Sequence, residues 1–213
     1  MKKIVSFVFS LVIATFSASA GCQHANSTIS SGDEPVINGH EYVDLGLSVK
    51  WATCNVGASK PEEYGNHYAW GETSTKSSYT KDNSVTYGKN FSDIGGNPAY
   101  DVACKQWGGT WRLPTKAEFD ELLNNCTWTW TIQNGIKGYK VTSKKNGNSI
   151  FLPAAGWRNG ASLYYQGAYG YYWSSTPHGS DSSYAYYLVF TSGSHGTSWD
   201  GRDEGRSVRP VSE

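Results

Sequence analysis

Charge is scarce in this chain. Only 17% of its 213 residues are Asp, Glu, Lys or Arg, and 18 basic side chains balance 18 acidic ones. Proteins that grip nucleic acid carry a basic stripe, and no such run is present, so no nucleic-acid partner is expected. No Cys-x-x-Cys or His-x-x-x-His pair occurs and the five histidines are scattered, which argues against a zinc site. A Gly-x-Ser-x-Gly elbow, a phosphate loop and a dinucleotide fingerprint are all missing, so no catalytic residue and no cofactor is assigned. Long apolar runs are also lacking. The one candidate, residues 4–16, is shorter than the roughly 20 residues that span a bilayer.

What the chain has in excess is Gly (24), Tyr (15) and Trp (9). Glycines that turn the chain and aromatics that fill a small core suit a compact, loop-rich domain. The amino terminus reads as a secretory signal peptide over residues 1–20. Lys2 and Lys3 precede the apolar run, and Ala18-Ser19-Ala20 supplies small residues for cleavage. Ala20-Gly21-Cys22 also resembles the end of a bacterial lipoprotein signal, with Cys22 the lipidated residue, although Ser19 stands where an apolar residue is usual. Cleavage after Ala20, with Cys22 left in a tail, is the alternative. Residues 21–40 read as a flexible, Ser-rich tether, and residues 41–213 as the folded domain. Cys54, Cys104 and Cys126 remain; export permits a disulfide, but three is odd and no spacing dictates a pair, including Cys54 with Cys126.

Within the domain, Tyr42–Thr53 reads as a hairpin around Gly46, followed by a loop-rich stretch to Tyr100. Asn97-Pro98 marks a helix start, with Tyr100, Ala103, Cys104 and Trp107 on one face and Gly108-Gly109 as the stop. Thr115 and Glu118 form a capping box for a second helix whose face is Phe119, Leu122, Leu123 and Cys126. Tyr139–Ser143 and Ser149–Leu152 flank Asn146-Gly147, which favours a two-residue type I′ turn. Further strands are expected at Tyr171–Ser174, Ala185–Phe190 and Ser207–Val211. The fold class is therefore α+β: two short helices, short antiparallel strands and long loops.

Several of these segments also carry a resemblance. Tyr42-Val43-Asp44-Leu45-Gly46-Leu47-Ser48-Val49-Lys50-Trp51-Ala52, Trp107-Gly108-Gly109, Trp111-Arg112-Leu113-Pro114-Thr115, Leu152-Pro153-Ala154-Ala155-Gly156, Tyr172-Trp173-Ser174-Ser175 and Ser207-Val208-Arg209-Pro210-Val211 occur in that order. From Glu41 to Val211 the chain resembles the Fibrobacter succinogenes major paralogous domain family. The resemblance implies a C-type lectin-like fold, of the branch shared with formylglycine-generating enzymes and with the variable proteins of diversity-generating retroelements. In those variable proteins the region similar to residues 156–211 displays diversified side chains that bind partner proteins. The catalytic cysteines of the formylglycine-generating branch have no counterparts at matching positions. The Glu-Pro-Asn and Trp-Asn-Asp signatures of calcium-dependent lectins are absent too, so Asp200, Asp203 and Glu204 read as solvated acidic surface rather than a calcium site.

Composition points to the same segment without any family. Between Arg158 and Arg202 the only charged residues are Asp181 and Asp200, while eight of the fifteen tyrosines fall there. Tyr separated by Ser and Gly is the make-up of an adaptable contact surface. Tyr164, Tyr165 and Tyr169 lie in a glycine-bounded loop and are the leading contact residues, with Tyr171 beside them. Strand alternation places Tyr186, Leu188 and Phe190 inward and Tyr187 outward, with Tyr184 also counted as a contact. Trp173 reads as scaffold. His178, Asp181, His195, Ser198, Trp199 and Asp200 are placed in polar loops at the same surface. The functional expectation is an exported, ligand-binding module for a protein or glycan at a cell surface, touching the membrane only through a lipid anchor. A self-associating surface component and a formylglycine-generating-enzyme-like oxidase are the alternatives.

Overall fold

A computed structural model describes residues 35–213. The expected signal peptide, Cys22 and most of the expected tether lie outside the described residues. The last part of that tether instead belongs to the fold. Strand β1 (Val36–Ile37) pairs antiparallel with β2 (His40–Val43) through an Asn38-Gly39 turn with φ of 47° and 82°. Two consecutive positive φ angles are what the type I′ hairpin requires, and Asn-Gly is the pair that tolerates them. Trp111 Nε1 donates to the Ile37 carbonyl at 2.8 Å, tying this hairpin to the body. The hairpin read around Gly46 is present: β2 pairs with β3 (Lys50–Ala52), and Gly46 has φ 68°.

Residues 53–101 hold no strand and only a single 3-10 turn at Lys81–Asn83. Helix α1 spans Val102–Trp107, four residues later than Asn97-Pro98 implies. The cap is Asp101. Its buried carboxylate accepts from Ala103 N and Cys104 N at the helix start, and also from Gly96 N and Leu113 N. Asn97 only closes the turn before it, its side chain accepting from Ala99 N. Helix α2 (Lys116–Asn125) begins as expected. Glu118 N donates to Thr115 Oγ1 at 3.2 Å and Thr115 N to Glu118 Oε2 at 2.7 Å. Phe119 and Leu122 are buried under it.

A three-stranded sheet follows: β4 (Cys126–Gln133), β5 (Ile136–Ser143) and β6 (Ser149–Pro153). Sequence reasoning passed over β4, although Thr127 to Ile132 alternates polar and apolar. The type I′ turn sits at Asn134-Gly135 (φ 46° and 84°), joining β4 to β5. At Asn146-Gly147 only the glycine has a positive φ, and the loop is wider than two residues. Its geometry is set from outside: Asn146 and Asn148 both donate to the Asp44 carbonyl, and Ser143 Oγ donates to the Leu45 carbonyl.

Two short strands, β7 (Trp157–Asn159) and β8 (Ser162–Tyr164), form a separate hairpin. A second three-stranded sheet has the order β11-β10-β9, with β9 at Gly170–Pro177, β10 at Tyr184–Thr191 and β11 at Ser194–Gly201. Strand β12 (Val211–Ser212) closes the first sheet beside β3, so only the end of the expected Ser207–Val211 strand is regular. The class is α+β, dominated by antiparallel sheet.

The β9-β10-β11 sheet is covered on both faces, which overturns the simple alternation expected for β10. On one face Tyr172, Leu188 and Phe190 pack with Trp51, Phe119, Leu122 and Val141. On the other, Trp173, Ala185 and Tyr187 pack with Trp70, Trp111 and Val208. Tyr187 is thus interior rather than outward, while Tyr186 is only half-buried. Trp173 is scaffold, as expected: it is buried and its indole N–H donates to the Tyr68 carbonyl at 2.9 Å. Among the described residues Cys54, Cys104 and Cys126 are free thiols, and burial pushes Cys126 up to about 11.

Candidate binding surface

The β7-β8 hairpin and the loop after it carry the leading tyrosines. Residues on opposed positions of a hairpin share a face, so Trp157 and Tyr164 stack with centroids 5.3 Å apart. Gly156 (φ 69°) permits this: a Cβ there would stand 2.2 Å from the Tyr164 carbonyl. Beyond β8 the chain turns at Tyr165, whose φ of 55° is rare for a bulky side chain and costs on the order of 1 kcal/mol. The turn is pinned by Ala168 N and Tyr169 N donating to the Tyr165 carbonyl, by Gly167 N to the Ala154 carbonyl and by Gly156 N to the Tyr169 carbonyl. A backbone held this way keeps the Tyr165 ring 56% exposed beside Tyr164 at 42%.

From there the rings run without a break. Tyr164 to Tyr165 is 6.4 Å, Tyr165 to Tyr169 4.8 Å, Tyr169 to Tyr171 5.9 Å and Tyr171 to Tyr187 5.8 Å. Exposure falls along the row, from Tyr164 and Tyr165 to the half-buried Tyr169 and Tyr171 and the interior Tyr187. Burial pushes the Tyr171 hydroxyl up to about 12. The row ends on Arg206, which is 1% exposed. Its guanidinium carbon lies 3.6 Å from the Tyr187 ring centre, 4.6 Å from Trp173, 5.2 Å from Tyr171 and 5.9 Å from Trp157. Nη2 donates to Asp200 at 3.2 Å and to Glu204, while Nε and Nη1 have no hydrogen-bond partner among the described residues. Aromatic faces satisfy a desolvated cation in part, and an arginine fits between rings better than a lysine.

Asp203 and Glu204 are therefore not the solvated surface that their setting among glycines implied; both are buried. Burial pushes Glu204 up to about 7, against the opposing pull of Arg206, and raises Asp203 as well. Arg202 and Arg209 are equally interior. Arg202 lies 4.3 Å from the Trp70 ring centre and donates to the Tyr184 and Lys89 carbonyls. Arg209 donates to Asn55 and to the Ala52 and Phe151 carbonyls. Arg202 and Arg206 have no role in the sequence reading and Arg209 enters it only within the Ser207–Val211 motif, because nothing local in Arg202-Asp203-Glu204-Gly205-Arg206-Ser207-Val208-Arg209 tells which of its charges the fold buries.

The remaining expected contact residues do not join this row. His195, Ser198, Trp199 and Asp200 lie on β11, not in polar loops. Ser198 and Asp200 share the Arg206 side of the sheet, Ser198 facing Tyr187 in register. Trp199, 49% exposed, lies on the opposite side with Tyr184 at 5.2 Å and His178 at 4.8 Å. Tyr186 extends that second group, with Lys116 Nζ 5.5 Å above its ring. Asp181 is exposed and orders the β9-β10 turn by accepting from Ser183 N. His195 stacks on Trp128 at 4.8 Å and meets Tyr139 edge-on, which ties β11 to the β4-β5-β6 sheet. One expected surface is thus two aromatic patches on opposite faces, plus a histidine at a sheet junction. Among the described residues no group of three or more His, Cys, Asp or Glu side chains is placed to hold a metal ion.

A family model described as a domain of unknown function, DUF8237, matches residues 136–211, from the start of β5 to β12. No curated protein and no solved structure matches the chain.

Proposed function

We propose that the protein is an exported ligand-binding module in which a C-type lectin-like scaffold presents the Tyr164–Tyr171 row to a protein partner. The observation that carries this reading is the unbroken row of rings from Trp157 to Tyr187, exposed at one end and fixed beneath at Arg206. Rigid tyrosines lose little entropy when a partner covers them, and two exposed rings over a packed base form an anchor of the kind that dominates protein interfaces. The positive φ at Tyr165 supports the same reading, because a strained backbone that displays a large ring is retained where the ring has work to do. Export through the segment 1–20 and anchoring through a lipid on Cys22 belong to the same proposal.

The test is a binding screen against arrayed extracellular protein domains, run beside a glycan array. Selective capture by one protein, weakened about 30-fold or more in Tyr164→Ala and Tyr165→Ala, is expected from the loss of about 2 kcal/mol or more at a hot spot. Equal binding by wild type and both variants, or capture by glycans alone, would overturn it.

A further inference from the structure

A second site lies apart from the tyrosine row, on the other side of the β7-β8 hairpin. In a strand, neighbouring residues face opposite ways, so Arg158 points away from the side that Trp157 shares with Tyr164. There it lines a cleft of about 350 Å³ together with Asn66, His67, Thr75, Ser77 and Tyr79. His67 and Tyr79 are buried and form the floor, while Asn66, Thr75 and Ser77 are exposed at the mouth. The floor is rigid: Tyr79 Oη donates to the His67 carbonyl, His67 Nε2 bonds the Ala155 carbonyl at 3.1 Å, and the Tyr79 and Gly160 backbones bond each other.

Among the described residues nothing compensates the full charge of this cleft. Lys76 also lines it, but its Nζ is engaged by Glu72 at 2.9 Å and by both oxygens of Asn83. Arg158 is half-buried and makes no side-chain ion pair with any described residue. Its charge is felt by both floor residues, His67 and Tyr79. A half-buried guanidinium with five N–H donors and no anion is a ready partner for a carboxylate, which it can engage with two parallel hydrogen bonds. The remaining lining of hydroxyls and an amide suits a ligand that also carries hydroxyl groups, and the volume suits one of monosaccharide size.

We infer that this cleft binds a small hydroxylated carboxylate, of the chemical class of an acidic monosaccharide, with Arg158 holding the carboxylate. The site is independent of the tyrosine row, so neither reading depends on the other. The test is NMR titration of the full domain with sodium glucuronate, with glucose and inorganic phosphate as separate arms, following the His67 ring and the Arg158 Nε–H. Saturable shifts with glucuronate in the millimolar range are expected, with none from glucose and at least tenfold weaker binding of phosphate. Arg158→Gln should weaken glucuronate at least tenfold. Thr75→Trp, on the exposed lip, should block the cleft whatever Arg158→Gln does to folding. No saturable shift with glucuronate, equal binding of phosphate, or undiminished binding in Thr75→Trp would overturn the inference.

Discussion

Glu204 and His67 are two buried ionisable groups that tilt the stability of the fold in opposite directions as pH changes. Burial pushes Glu204 from an ordinary 4.5 up to about 7, and it pushes His67 from 6.5 down to about 4. Between pH 4.5 and 7 the folded protein keeps a proton on Glu204 that the unfolded chain has lost, so stability falls as pH rises through that window. Between pH 4 and 6.5 the unfolded chain protonates His67 while the folded protein does not, so stability rises with pH there. Each group contributes a slope of about 1.4 kcal/mol per pH unit, and each window is worth roughly 3 kcal/mol. Where the windows overlap, from pH 4.5 to 6.5, the two slopes cancel. Urea unfolding of the wild type, Glu204→Gln and His67→Gln across pH 4 to 7.5 separates them. Relative to wild type, Glu204→Gln should gain roughly 3 kcal/mol on going from pH 4.5 to 7, and His67→Gln should lose a similar amount from pH 4 to 6.5. Slopes are compared, so a constant cost from either substitution does not matter. Three parallel curves would refute the claim that these carboxyl and imidazole groups are neutral in the interior.

Tyr187→Ala should destabilise the domain by about 3–5 kcal/mol in the same assay, as a buried aromatic does, whereas Tyr164→Ala should cost under about 1 kcal/mol. Tyr165→Gly relieves the positive φ and should leave stability unchanged or raise it by up to about 1 kcal/mol while weakening capture of a protein partner. Asp101→Ala strips four backbone N–H groups of their acceptor at the start of α1 and should cost about 2–4 kcal/mol. Cys22→Ser should abolish lipid labelling in a bacterial host and release the protein from the membrane fraction; unchanged labelling would remove the anchor from the proposal.

Local chemistry was legible where a few neighbouring residues decide the geometry. The Thr115–Glu118 box starts α2, Gly46 turns the first hairpin, and the strands around Tyr139 and Ser149 pair as their alternation requires. Expectations failed where distant parts of the chain decide. Asp101 outcompetes Asn97 as a cap because Leu113 N, twelve residues on, needs the same carboxylate. Asn146-Gly147 loses its tight turn to Asp44, about a hundred residues away.

The candidate site divides in the same way. Tyrosine density between Arg158 and Arg202, set off by the lack of charge, marks the region in the sequence. Composition cannot say which tyrosines face water, because that depends on whether one or both faces of β10 are covered, and both are. Pairing β9, β10 and β11 sent Tyr187 inward, parted Trp199 from Tyr164, and placed Arg206 beneath the rings. A linear sequence records which side chains exist and how its nearest turns bend. Which of them meet is settled only when strands far apart in the chain pair and bury their faces.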